Sequence, residues 1–223
     1  MIKSMYIIRG SKVEDYDAFV GRIFDLLDVL EQIEKVLRLS VVLTENAPPN
    51  ISIIPFKKEK IAVISIKSES PFDSQYLINT NGYRGKFEVN EALPVKYEKT
   101  WTDGFITPGI CLLTLFNQKK GISYDQFIDT WHNSHTPLSL KLHPLWHYNR
   151  NVVAINADEN QEKWDGIVEE HVRTKKELLN PFLFFGKPSK IIQNMIAVYK
   201  DTKNFIDYPS MQPYLAQEYH IKS

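Results

Sequence analysis

The sequence predicts an α+β chain in which two tandem βαββαβ units pack their antiparallel sheets face to face as a pseudo-dimeric α/β barrel. Two long segments, 15–37 and 123–142, carry apolar residues at helical spacing, and each is followed by β-branched runs. A junction rich in turn formers, residues 101–109, separates two halves of similar plan. We therefore place one half at 1–100 and the other at 101–223. Each order of elements is that of a split βαβ, or ferredoxin-like, unit. One face of such a sheet is left needing cover, and strands apolar on both faces favour a shared barrel over two separate sandwiches.

In the first half, residues 4–9 form a short strand, and Phe19, Ile23, Leu26, Leu27, Leu30, Ile33 and Leu37 mark the helix stripe. Residues 39–44 form a β-branched strand, 46–50 a loop, and 60–66 alternate as a strand should. Ser70 and Pro71 supply a cap and a first-turn proline for a short helix ending near Gly82. The half closes on a strand within 87–99, where Pro94 points to an edge or a bulge. In the second half, residues 110–117 form a strand and Gly121 closes a turn. Ser123 with Gln126 makes a capping box for a helix to about Leu142. Strands follow at 146–155 and 165–172. Thr174 with Glu177 opens a helix ending near Gly186, residues 191–205 form an extra helix, and 211–221 the last strand.

Twenty-seven basic residues balance twenty-seven acidic ones with no long basic run, so the electrostatic footprint of a nucleic-acid binder is missing. The single cysteine, Cys111, lies in an apolar run and reads as a small core residue in a reducing compartment. The N-terminus is too interrupted for a signal peptide, and no uncharged stretch reaches the roughly 18 to 20 residues of a membrane span. The expected location is cytoplasmic. Glycine-rich phosphate loops, the GxSxG elbow and HExxH are absent, which removes support for nucleotide binding and the common hydrolases.

Chemistry concentrates on the helix of the second half. Phe127, Trp131 and His135 fall at steps of four and share its apolar stripe. Sliding one half over the other by about 108 residues sets them over Phe19, Ile23 and Leu27, so the polar group belongs to the second half alone. His135 is either a satisfied core residue or a working group. Pro137 lacks an amide hydrogen and should bend the helix, freeing the carbonyl near Asn133 and opening a cleft against the sheet. A desolvated imidazole there suits a general base near neutrality. Trp131 and Phe127 are core residues that would also wall a flat apolar ligand.

The other candidates lie on strands. Asp165, Ile167, Glu169 and His171 share one face, and Glu169 is either a solvated edge acid or an acid near a cavity, between the sheets or at the cleft rim. Tyr148 and Asn151 sit at odd separation and point to opposite faces, so only one can approach His135. No shared metal site is expected: His132 points toward solvent, His143 and His147 flank a turn, and no cysteine or carboxylate cluster completes a ligand set.

Phe127, Trp131, His135, Pro137 and Leu138, followed by Tyr148 and Asn151, make residues 109–153 resemble the EthD-like family of the dimeric α/β-barrel superfamily. Residues 164–169, the late Phe205 and Asp207, and the closing Gln217 to Tyr219 extend the resemblance, while the first half looks like a degenerate copy. The resemblance implies a small-molecule ligand, no required cofactor, His135 as the helix histidine with Trp131 and Phe127 lining its cleft, and a homodimer by superfamily habit. Glu170 and His171 depart from the pattern, standing where apolar and aromatic residues are usual, so the pocket is more polar than the family's. Three readings follow. One is an enzyme abstracting a proton beside a carbonyl, with His135 as base and Tyr148, Asn151 or Glu169 orienting the substrate. The second is a ligand-binding protein without turnover, and the third a haem protein with His135 as axial ligand.

Overall fold

In the computed structural model, which describes residues 1–72, 74–156 and 162–223, eight antiparallel strands close into a barrel. They are β1 (Ile2–Arg9), β2 (Arg38–Thr44), β3 (Ile61–Ser68), β4 (Tyr83–Val95), β5 (Ile110–Phe116), β6 (Leu145–Asn156), β7 (Gly166–Val172) and β8 (Gln212–Lys222). Around the barrel the order is β1-β3-β2-β8-β5-β7-β6-β4. Each half thus contributes four neighbours in the same internal order, last-first-third-second, and the halves join at β2–β8 and β4–β6.

Strand alternation assigns every side chain to the inside or the outside. Met5, Ile7, Val63, Phe87, Leu113 and Ile167 fill the interior, together with Cys111 and Tyr214. Tyr6, Ile8, Val41 and Ile64 point outward beneath α1 (Tyr16–Glu31). Both faces are buried, which explains strands apolar without alternation. The outer face of the second half is covered by α3 (Tyr124–Asp129), a wide turn over Thr130–His135, and α4 (Thr136–Leu142). Beside them lie α5 (Lys175–Leu179), α6 (Pro181–Phe184) and α7 (Ile191–Thr202). Among the described residues no helix is long and apolar enough to cross a membrane.

Several boundaries differ from expectation for local reasons. Asp15 caps α1 by accepting from Asp17 and Ala18, but the helix stops at Glu31 rather than near Leu37. The Leu37 amide instead donates to the Lys67 carbonyl, which starts the return toward β2. Ser70 and Pro71 do not open a helix. α2 is the single turn Gln75–Ile78 behind Ser74, whose side chain makes no cap bond. The helix at Thr174 has its capping box but breaks at Pro181, where Asn180 caps the next turn. Pro94 lies within a register shift between Ala92 and Val95; a closed barrel has no edge, so the proline interrupts a ladder.

The junction between the halves crosses one end of the barrel. Gly104 and Thr107 donate backbone hydrogen bonds to the His220 and Glu218 carbonyls at 2.7 and 2.8 Å, and buried Tyr97 reaches inward. At the other end Arg9 closes the interior. Its guanidinium donates to Glu162 at 2.6 Å, Glu59 at 2.7 Å, Tyr214 at 2.8 Å and Gln212 at 2.8 Å. The junction ends on Gly109, whose φ of +100° few L side chains adopt and where a Cβ would lie 2.3 Å from the Val172 carbonyl oxygen. Gly109→Ala is expected to cost about 2 kcal/mol or more, read as a lower denaturant midpoint at unchanged slope.

Candidate functional site

The wide turn is what sets His135 in place. Ser123 and Gln126 start α3 with a full capping box. One turn later the Thr136 amide bonds the Trp131 carbonyl five residues back, where an α-helix would reach four. The Thr136 hydroxyl donates to the same carbonyl at 2.9 Å, and Arg150 from β6 donates to that hydroxyl at 2.6 Å. Pro137 therefore falls in the first turn of α4, where a missing amide hydrogen costs little. The helix is widened before the proline rather than kinked after it.

His135 is held from both sides of its ring. Nδ1 lies 2.8 Å from Asp201 Oδ2 on α7, and Nε2 lies 3.1 Å from the Ser139 hydroxyl. An ionised carboxylate only accepts, so Nδ1 carries the proton and the Nε2 lone pair faces Ser139. Burial pushes the Asp201 carboxyl up, but hydrogen bonds from His135 and Ser134 outweigh it and hold the group below its ordinary value. Phe205 packs on His135 at 5.2 Å between ring centres and stacks on Trp131 at 6.2 Å and 16°.

Between these helices and the sheet lies a cavity of about 550 Å³, bounded on its far side by the first-half segment Ile53, Ile54 and Pro55. It falls in the size range of small-molecule sites. His135, Trp131 and Tyr148 all line it, as does Glu170, the register partner of Tyr148 on β7. The Tyr148 hydroxyl is buried beside the Trp131 indole and the Thr136 hydroxyl and makes no close hydrogen bond among the described residues. Burial raises its pKa above the ordinary phenol value, and the neighbouring Glu170 adds to this. Burial also pushes the Glu170 carboxyl up to about 7; His135 pulls the other way only when its ring is protonated. Glu170 keeps some access to the cavity and makes no side-chain hydrogen bond among the described residues.

The residues marked from sequence divide between two places. Phe127 is fully buried behind Trp131, 5.5 Å from its ring, and does not line the cavity. Asn151 and Glu169 point into the barrel, on the opposite side of the sheet from His135. Asn151 accepts from Lys3 at 2.8 Å and donates to the Ile167 carbonyl at 3.1 Å. Glu169 accepts from Asn149 at 2.7 Å and is pushed up to about 7 by burial, against the pull of Lys3. His132 does not face freely outward: its Nε2 is buried and has no hydrogen-bond partner among the described residues. His143 bonds the Phe184 carbonyl at 2.9 Å and stacks on that ring, so it is a satisfied core histidine; burial lowers its pKa to about 4. Among the described residues no group of three or more His, Cys, Asp or Glu is arranged to hold a metal.

The sequence marked Glu170 only as a polar departure in the pocket, with no role assigned, and did not mark Asp201 or Ser139. Glu170 carried a signal, a lone carboxyl between Val168 and Val172 on the apolar face of its strand. Asp201 carried none, since it meets His135 across 66 residues.

Two outcomes are expected. Thr136→Val removes both hydroxyl bonds and strands the Arg150 guanidinium, costing about 1–3 kcal/mol and displacing the His135–Asp201 contact, followed by the imidazole NMR signals. Glu170 and Glu169 hold their protons more tightly folded than unfolded, so the stability these two groups contribute is fully present below about pH 4.5 and is lost as pH rises through about 7. Glu170→Gln removes one share of that slope and gains about 1–3 kcal/mol over the parent between pH 5 and pH 8 in urea titrations.

No family model and no curated protein matches the chain. Among solved structures it aligns over its full length, and over 94% of the other chain, with an anthrone oxidase-like protein at TM-score 0.63 and 9% identity. A candidate monooxygenase from Fusobacterium nucleatum subsp. nucleatum aligns over 99% of this chain and 92% of its own, at TM-score 0.49 and 11% identity. At such identity the first likeness speaks for the fold alone, a closed eight-strand antiparallel barrel with helices outside it.

Proposed function

We propose that this protein binds a small, flat, mostly apolar molecule bearing a carbonyl or phenolic oxygen in the outer cavity, and removes a proton from it. One observation carries the reading: a histidine oriented by a carboxylate and a carboxyl poised near neutrality line the same largely apolar cavity. Asp201 fixes the tautomer, so Nε2 is the basic atom once a substrate displaces the Ser139 hydroxyl. Glu170, mostly protonated below about pH 7, and the Tyr148 hydroxyl are donors for the oxygen on which charge builds. Trp131 and Phe205 supply the aromatic wall.

Loss of a proton beside a carbonyl gives an enolate, which can reduce dioxygen without a cofactor. In a methylene-to-carbonyl oxidation one oxygen atom stays on carbon and the other leaves as water. The anthrone oxidase-like description of the structural neighbour accords with such chemistry. We further assign the chain to the EthD-like group, with ferredoxin-like halves at 1–100 and 101–223. Support comes from the shared strand order of the halves and from the Trp131/His135 pair at the cleft. Haem ligation fits less well, because iron would have to break the Ser139 contact and, among the described residues, Lys57 is the one lysine or arginine lining the cavity for propionates.

The test is dioxygen consumption with a panel of anthrones and related hydroxyaromatic ketones. His135→Ala is expected to lower kcat by about 100-fold to 10,000-fold while ligand affinity changes little. Asp201→Asn should lower kcat and alter its pH profile, because the imidazole loses its fixed tautomer. Binding with no turnover in the parent protein would leave a ligand-binding role. Turnover unaffected by His135→Ala would overturn the catalytic assignment.

A further inference from the structure

On the inner side of the sheet, at the barrel end crossed by the junction, lies a second cavity of about 530 Å³ that shares no lining residue with the first. Polar side chains reach it from seven of the eight strands, with Leu39, Leu93 and Tyr97 between them. Lys3 and Lys67 face it from β1 and β3, Ser40 and Arg38 from β2, and Glu218 and His220 from β8. Asn149 and Glu169 face it from β6 and β7, and Glu91 from β4. A barrel interior filled only for stability would be apolar here, as it is one layer deeper around Met5, Val63 and Leu113.

The polar groups are incompletely paired with one another. Lys3 donates to Glu91 at 2.7 Å, and Lys67 bonds the other oxygen of the same carboxylate. Two ammonium groups share one negative charge, so this wall keeps a positive surplus. Exposed Arg38 and Lys96 and half-buried Lys222 extend it to the rim. Glu218 is committed to Tyr97 at 2.8 Å and to His220 at 3.4 Å. Asn149 is buried, donates to Glu169 and Glu91, and leaves its own carbonyl oxygen without a partner among the described residues. Ser40 and Ser65 make no side-chain hydrogen bond among the described residues. A buried acceptor left unmatched costs about 1–3 kcal/mol, which a guest bearing a donor would recover.

We propose that the barrel mouth is a second binding site, for a small hydroxylated organic anion such as a hydroxycarboxylate or a sugar phosphate. The anionic head lies against Lys67 and Arg38 at the rim, and a hydroxyl of the same molecule donates inward to Asn149 Oδ1. Ser40 and Ser65, register partners on β2 and β3, line the path between them. The basic rim draws the anion in, and the unmatched amide oxygen selects for a hydroxyl over a plain acid.

The experiment is calorimetric titration of the full chain with L-malate and glycerol 3-phosphate, against succinate, which lacks the hydroxyl, and glycerol, which lacks the charge. At least one hydroxylated anion is expected to bind below about 10 mM, with succinate about tenfold weaker than malate if malate is the binder, and glycerol silent. Lys67→Met should weaken binding about tenfold or more, and Lys67→Arg should restore most of it, separating charge from misfolding. His135→Ala should leave this binding intact, so its outcome is independent of the outer cavity. No saturable binding by either hydroxylated anion, equal affinity for malate and succinate, or insensitivity to Lys67→Met would each overturn the proposal.

Discussion

Closing eight strands into a barrel removes every free edge and leaves each side chain one of two destinations. With β6 and β7 paired in fixed register, residues 147, 149, 151, 167, 169 and 171 must look inward, and 148, 150, 168 and 170 outward. A one-residue slip would exchange those sets and put lysine-paired groups against the helices. The separation of an apolar outer cleft from a polar inner mouth is thus a property of register before it is a property of any residue. Glu169 and Glu170 show it most plainly: adjacent in sequence, similarly starved of water, they serve opposite sides of one sheet.

The outer cleft depends on how little charge it holds. Its carboxyl is neutralised by its surroundings rather than by a cation, and its imidazole is polarised by Asp201 from behind, away from the strand that carries Glu170. The wide turn makes this arrangement reachable by letting His135 and Ser139 meet side by side while Trp131 stays in the core. Arg150 beneath the turn has no carboxylate partner among the described residues, and its bond to Thr136 is the link between sheet and helix there.

Much of this was legible from the chain. Capping boxes at Ser123 and Thr174, the strand runs and the parity of Tyr148 against Asn151 are local signals, written within a few residues of where they act. The helix histidine was legible for the same reason. What escaped were relations with no local mark. The wide turn depends on Arg150 reaching Thr136 from another element, and Asp201 finds His135 only once α7 has docked. Helix ends failed where tertiary hydrogen bonds intervened, as at Leu37. Glu170 was readable as an acid on an apolar strand face, but its place opposite Tyr148 in the cleft with His135 follows only from the strand register and the docked helices.

The guanidinium of Arg9 has a bearing on traffic through the molecule. Tied to Glu162, Glu59, Tyr214 and Gln212, it stoppers the end of the tube opposite the junction. With Met5, Ile7, Val63 and Phe87 packed between that stopper and the mouth, the mouth cavity is a cup and not a conduit. Whatever enters must leave by the same doorway, past Tyr97, so arrival of one guest waits on departure of the last.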